Sequence, residues 1–253
     1  MRRFFTGPEN IGQNIIVIDD HDDIHHIMNV LRLKEGDEID VSDKVEWEYR
    51  ASIISMSAEE VQLRILDKQT FASEPLTRVT LFQGIPRQGK METVIQKTTE
   101  LGIHRIVPVF MDRTVVVNRG NFDKKTDRWQ KVADEAAKQC KRGTVLNVSD
   151  AAGMRDVIGE LADFDLVIMP YENEKNTTIK DVLLEMTNPT TIEVFGKPEH
   201  IAVIIGPEGG FSDEEAKAIV KAGGKSVSLG KTILRTETAA IAAVAMIMYE
   251  LEL

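Results

Sequence analysis

Up to about residue 72, apolar and polar positions alternate in short runs at 14–18, 38–41, 47–56 and 60–67, separated by turn clusters such as Lys34-Glu35-Gly36-Asp37. These runs predict a small β barrel or sandwich. Ile27, Val30 and Leu31 repeat at helical spacing, so one helix over 25–33 should interrupt the strands. Residues 70–77 are polar and contain Pro75, which reads as an interdomain linker and divides the chain into domains 1–72 and 73–253. Beyond the linker the period changes. Apolar runs at 78–83, 103–110, 145–148, 164–169, 201–205 and 225–229 alternate with helical patterns at 90–101, 123–142, 153–162, 178–187, 213–222 and 236–251. The helix over 90–101, for instance, carries Met91, Val94, Ile95, Thr98 and Leu101 on one face. Strand and helix in alternation predict an α/β domain with a mostly parallel sheet covered by helices. The last helix is apolar on nearly every side from Ala239 to Met248, so it is expected to be buried all round.

That run is the longest wholly apolar one and has about half the roughly 20 residues a bilayer span needs, so no membrane partner is expected. The 253 residues are 42% hydrophobic and 28% charged, a globular balance that excludes disorder, collagen and coiled coil. Met1 to Phe5 read Met-Arg-Arg-Phe-Phe with no leader-like apolar stretch, so the mature chain is expected to start here and stay cytoplasmic. Cys140 is alone, which leaves no internal disulfide and no cysteine-rich zinc module. His21, His25 and His26 lack a clear further ligand nearby, so packing and surface roles are favoured and no metal is expected. Met91, Met246 and Met248 are read as core.

Charge changes the picture more. The net charge of -10 argues against a nucleic-acid partner, but residues 76–142 carry 14 Lys/Arg against 7 Asp/Glu, while the flanking segments are acidic. Local field decides where a polyanion docks. On a helix over 123–142, Lys124, Arg128, Lys131, Lys138 and Arg142 fall within an arc of about 80°, while Trp129, Val132, Ala133, Ala136 and Cys140 face the core. A phosphate-contacting stripe is preferred to an ordinary solvated face, although Glu135 interrupts it. Arg2, Arg3, Arg32 and Lys34 form either a basic lip on the first domain or scattered surface charge.

Two segments carry candidate chemistry. Gly206-Pro207-Glu208-Gly209-Gly210-Phe211 follows an apolar strand and precedes Ser212 and Glu215, a capping box, so it is a glycine-rich turn between strand and helix. Ligands of open parallel sheets sit at such carboxyl ends. The turn matches neither the Walker nor the dinucleotide spacing and suits a ligand gripped by backbone groups. Ser228-Leu229-Gly230-Lys231-Thr232-Ile233-Leu234-Arg235-Thr236 follows another strand and enters the apolar last helix.

With these segments on the page, the chain resembles the SPOUT superfamily of RNA methyltransferases, in particular the RsmE type that methylates N3 of a uridine in 16S ribosomal RNA. The resemblance runs over nearly the whole chain. It is carried by His25-His26-Ile27 with Val30-Leu31-Arg32 and Gly36-Asp37, and by Lys90-Met91-Glu92 with Gln96-Lys97 and Glu100-Leu101-Gly102. Arg128-Trp129, Glu135-Ala136-Ala137, Gln139, Gly206 to Gly210, and Leu229-Gly230 with Ile233 to Ala239 complete it. Cys140 to Leu146 departs from the family pattern, which commonly has Ser after the Gln and Pro after the Val.

The resemblance implies a SPOUT α/β knot, a deep trefoil that sequence reasoning alone rejects as rare, behind a small PUA-like β-barrel RNA-binding domain. It implies S-adenosylmethionine as cofactor, a homodimer, and 16S rRNA in a small-subunit context as partner. The cofactor would be held by Gly206, Pro207, Glu208, Gly209, Gly210, Leu229, Gly230, Ile233, Leu234 and Thr236, with Leu81, Phe82 and Gln83 or Pro170, Tyr171 and Glu172 as further walls. Uridine N3 is a poor nucleophile while protonated, so a group must take the proton or stabilise the anion. Among Arg235, Arg142, Arg32, Gln139 and Glu237, Arg235 is preferred for stabilising charge on a uracil oxygen, with Gln139 and Arg142 as the other catalytic candidates. A salt bridge from Arg235 to Glu237 is the competing reading of that residue. A SPOUT enzyme acting on another base or a ribose, and a non-catalytic RNA-binding knot protein, are the alternatives.

Overall fold

The computed structural model describes residues 3–71, 74–87, 89–116 and 122–252, in two compact units. The first runs to Glu74 and takes in Ala137–Val145; the second comprises Pro75–Ala136 and the chain from Leu146 onward.

In the first unit, β1 (Arg3–Phe5), β2 (Ile15–Ile18), β3 (Glu38–Ser42), β4 (Trp47–Met56) and β5 (Val61–Thr70) form one mixed sheet in the order β1-β3-β4-β5-β2. Alternation dictates its inner face: Tyr49, Ala51 and Ile53 of β4 and Val61 and Leu63 of β5 are buried with Phe4, Ile16, Ile18, Ile39 and Val41. Among the described residues β1 and β2 do not pair, so the expected barrel is an open five-stranded sheet; the Thr6 hydroxyl donates to the Val17 carbonyl at 3.1 Å. The predicted helix over 25–33 begins earlier. Asp20 caps α1 (His21–His25) by accepting from the Asp23 amide, and a π turn follows over His26–Val30. Ile24 of α1 and Ile27 of the π turn are buried, and Val30 is exposed.

The second unit holds β6 (Arg78–Gly84), α2 (Lys90–Glu100), β7 (Arg105–Phe110) and most of α3 (Asp123–Cys140). There follow β8 (Asn147–Val148), β9 (Ala152–Gly153), α4 (Met154–Glu160), β10 (Leu166–Pro170), α5 (Ile179–Thr187), α6 (Pro189–Phe195), β11 (His200–Ile205), α7 (Asp213–Lys221), β12 (Lys225–Val227) and α8 (Thr236–Glu252). The sheet order is β12-β10-β11-β6-β7-β8, with β9 against the end of β7, and every pairing is parallel. Its central strands are apolar on both faces because helices cover both. Leu81, Val203 and Ile205 pack toward α2, α3, α5 and α8, whereas Phe82, Ala202 and Ile204 pack toward α4 and α7. One expectation needs correcting. α8 is not buried all round: Met246 and Tyr249 are exposed and Ala242 and Ala245 half-buried, leaving one apolar face open.

The segment read as a linker is tied down by its own carboxylate. Glu74 accepts from the Arg142 guanidinium at 2.8 Å, from the Gly143 and Thr144 amides at 2.7 and 3.1 Å, and from the Thr144 hydroxyl at 2.9 Å. Burial alone would raise the Glu74 carboxyl; the Arg142 hydrogen bond and charge and the Thr144 amide override it and hold it below its ordinary 4.5. Since Arg142 and Glu74 are nearly dry, at 7% and 17% side-chain exposure, removing one charge strands the other. Glu74→Gln should therefore cost about 3 kcal/mol of stability near neutral pH. A depressed folded-state value means that this contribution is present above 4.5 and lost as pH falls below it. Thermal melts of wild type and variant should accordingly converge in acid; a constant difference across pH would show that the charge is not what Glu74 contributes.

Candidate functional site

Because every strand of the second sheet is parallel, the loops after β6, β7, β10, β11 and β12 emerge at one edge. The loop after β11 is a tight turn closed by the Gly210 amide donating to the Pro207 carbonyl at 2.9 Å. Gly210 has φ +68°, and a Cβ there would lie 2.8 Å from Glu172 Oε1, so the chain after β10 presses on the turn. On the other side, Arg113 of the loop after β7 donates from Nη1 to the Gly209 carbonyl at 3.0 Å. Ser212 then starts α7 with the expected capping box, and its hydroxyl donates to Asp112 Oδ2 at 2.6 Å while the Asp112 amide donates to Glu215 at 2.8 Å.

The loop after β12 meets this turn through Thr236, the first residue of α8. Its hydroxyl donates to the Gly206 carbonyl at 2.6 Å and accepts from Gln83 Nε2 at 3.0 Å. Both side chains are buried, so Thr236 joins loops rather than presenting its hydroxyl to a ligand. A second connection is ionic. Lys90 Nζ lies 3.1 Å from Glu208 Oε1 and 3.4 Å from Glu237 Oε2, and Glu208 also accepts from the Arg87 amide at 2.9 Å. The hydrogen bond to Glu208 raises the Lys90 ammonium above its ordinary value. Burial acts to raise the Glu208 carboxyl, but the Arg87 amide and Lys90 outweigh it and hold it low.

The structure thus brings together Gly206, Pro207, Glu208, Gly209, Gly210 and Thr236. Of the remaining cofactor candidates, Leu229 and Leu234 are half-buried, and Gly230 and Ile233 are exposed, Ile233 at 86%. Arg235 is exposed in the same loop, and among the described residues no carboxylate pairs with it; Glu237 faces Lys90 instead. Gln139 and Arg142 belong to the first unit, so Arg235 is the one catalytic candidate on the unit that carries these loops. Arg142 is committed to Glu74.

The basic candidates divide likewise. Lys124, Arg128 and Lys131 are exposed along α3, Arg128 also reaching Glu92 at 3.1 Å, and Arg32 is exposed with φ +54°. Arg3 requires correction as a surface residue. It is 8% exposed, pairs with Glu48, and donates to the Lys141 carbonyl at 2.6 Å. Lys138 pairs with Asp23, and Arg2 lies outside the described residues. Sequence reasoning missed Lys90, Asp112 and Arg113; nothing local in the chain marks a lysine or an arginine as the partner of a turn a hundred residues away. Among the described residues no helix is long and apolar enough to cross a membrane, and no three His, Cys, Asp or Glu side chains cluster as a metal site.

Comparison with known proteins accords with this geometry. The RNA methyltransferase domain model matches residues 72–248, and the RNA methyltransferase PUA domain model matches 12–66. The ribosomal RNA small subunit methyltransferase E of Bacillus subtilis (strain 168) is 31% identical over 233 residues, 92% of this chain and 89% of its own. The ribosomal RNA small subunit methyltransferase E from Neisseria gonorrhoeae, solved bound to S-adenosyl methionine, is 28% identical, with 98% of this chain and 97% of that chain covered at a TM-score of 0.83. A methyltransferase from Legionella pneumophila, solved with the bound cofactor SAM, is also 28% identical, covering 98% and 96% at a TM-score of 0.83. By domain order, by the match of the domain model and by identity over nearly its full length, the chain belongs to the RNA methyltransferase family, with that family's PUA domain ahead of the methyltransferase domain.

Proposed function

We propose that this protein transfers the methyl group of S-adenosylmethionine to N3 of a uridine in 16S ribosomal RNA, in the context of the small ribosomal subunit. The observation that carries the reading is the pair of strand-end loops, 206–212 and 228–236, joined by the Thr236 hydroxyl in a chain whose 28% identical relative was solved with S-adenosyl methionine bound. The residues present fit that cofactor by the chemistry of the donor set: main-chain groups of a turn whose glycines let Arg113 and Glu172 pack close, in a loop that Thr236 ties to the apolar Leu229, Ile233 and Leu234. When bound, the cofactor supplies an activated methyl group on a sulfonium.

Gly206 to Gly210 and Leu229 to Leu234 would hold the cofactor, with the exposed Ile233 and the half-buried Leu234 offering it apolar surface. Arg235 stabilises negative charge on a uracil oxygen as the N3 proton passes to solvent water. A guanidinium stays protonated, so its part is electrostatic. N3 lies on the pairing edge, and the target base must leave its stack to be reached. Lys124, Arg128 and Lys131 on α3, with Arg32 on the first unit, contact phosphates. The open face of α8, with Ala242, Ala245, Met246 and Tyr249, is the homodimer surface, and the protein works in the cytoplasm.

Cells lacking the protein should lose one methylated uridine from 16S RNA by mass spectrometry, and an unchanged RNA would refute the assignment. Arg235→Ala should lower turnover by about a hundredfold or more while leaving S-adenosylhomocysteine affinity near wild type, a split that a cofactor-holding role would not give. Gly209→Val would place its Cβ about 2.9 Å from Arg113 Cβ, force the turn away from the loop after β7, and abolish calorimetric binding of S-adenosylhomocysteine. Retained binding would move the pocket elsewhere.

A further inference from the structure

Gln83 is the last residue but one of β6 and has no exposed surface. Its amide nitrogen spends one donor on the Gly84 carbonyl at 2.9 Å and the other on Thr236 Oγ1 at 3.0 Å. Thr236 passes the constraint on, since a hydroxyl that accepts from Gln83 has its single proton left for the Gly206 carbonyl. Gln83 Oε1, in contrast, is buried without a partner.

That combination is unfavourable for stability alone. A buried carbonyl left unmade costs free energy, and an apolar side chain of similar volume would fill the same space without that cost. What an apolar replacement could not do is orient the Thr236 hydroxyl, and so fix the spacing between the Gly206 turn and the first turn of α8. We infer that Gln83 is a positioning residue: through Thr236 it sets the separation of the two loops that grip the cofactor, and it is retained for that preorganisation at a cost in stability. The inference rests on the reading of those loops as the cofactor site.

Gln83→Met, Thr236→Val and the double variant are compared with wild type in two measurements on the full chain, a thermal melt without ligand and calorimetric titration with S-adenosylhomocysteine. Gln83→Met should melt no lower than wild type yet bind about tenfold more weakly, the loss of one neutral hydrogen bond's worth of preorganisation. Thr236→Val breaks the same relay from its other end and should weaken binding comparably. The double variant should bind no worse than either single variant, because both act through one path. If Gln83→Met does not fold, Thr236→Val decides alone: weakened binding at an unchanged melting temperature supports the relay. Wild-type affinity in either folded single variant overturns the inference while leaving the cofactor site intact. Melting temperature and affinity falling together in both variants also overturn it, by making Gln83 a structural residue only. A wild-type protein that does not bind S-adenosylhomocysteine refutes the cofactor reading itself.

Discussion

A threonine hydroxyl donates once, and in this fold Thr236 gives that one proton to the Gly206 carbonyl. The bond matters because of what surrounds it. Parallel pairing of β6, β10, β11 and β12 brings their carboxyl ends to one edge, but pairing fixes only the strands and says nothing about the loops beyond them. The turn after β11 and the loop after β12 are separated by α7 in the chain, and the hydrogen bond from the start of α8 is what sets one against the other inside a dry environment, where such a bond is strongest. Arg113 and Asp112 hold the same turn from the side of β7. The candidate site is therefore built from fixed backbone, which suits a ligand recognised by main-chain groups.

The parts of this arrangement that rest on local rules were legible in the sequence. Alternating apolar runs and helical spacings located the elements of the second unit, and Ser212 with Glu215 announced the start of α7 because a capping box is formed by residues three apart. Elements whose signal is long-range were missed. β1 is three residues whose place depends on pairing with β3, and β9 is two residues paired with the end of β7. α6 was missed despite Asn188 and Pro189 at its start, a legitimate but short signal. The all-round burial expected of α8 failed for a different reason: hydrophobicity reports that a face avoids water, not that the fold of the same chain supplies its cover.

Charge was the least legible property, since sequence gives the sign of a side chain but not its partner. The first unit contains Arg3, Lys138 and Arg142, all candidates for outward-facing roles, yet each is spent internally on Glu48, Asp23 and Glu74. Lys138 and Arg142 come from the basic 76–142 block, yet each pairs with a carboxylate of the acidic first 75 residues, because an unpaired buried carboxylate is costly. The positive field of the 76–142 block is correspondingly carried by α3 side chains that reach solvent, Lys124 and Arg128 among them.

The same reasoning explains why Arg235 keeps its charge available. Glu237, two residues along, is the obvious partner, and an ion pair between them would cancel the guanidinium. Lys90 prevents it. Held at the start of α2 and bonded to Glu208, it lies 3.4 Å from Glu237 Oε2, so that carboxylate already has a cation at close range. The Lys90 ammonium is raised and the Glu208 carboxyl lowered, so this pair keeps opposite charges throughout the neutral range. With Glu237 partly neutralised by a residue from another element, the local field at Arg235 is more positive than its own loop sequence would give. The role proposed for Arg235 requires that condition, and here it is met by a lysine more than a hundred residues earlier in the chain.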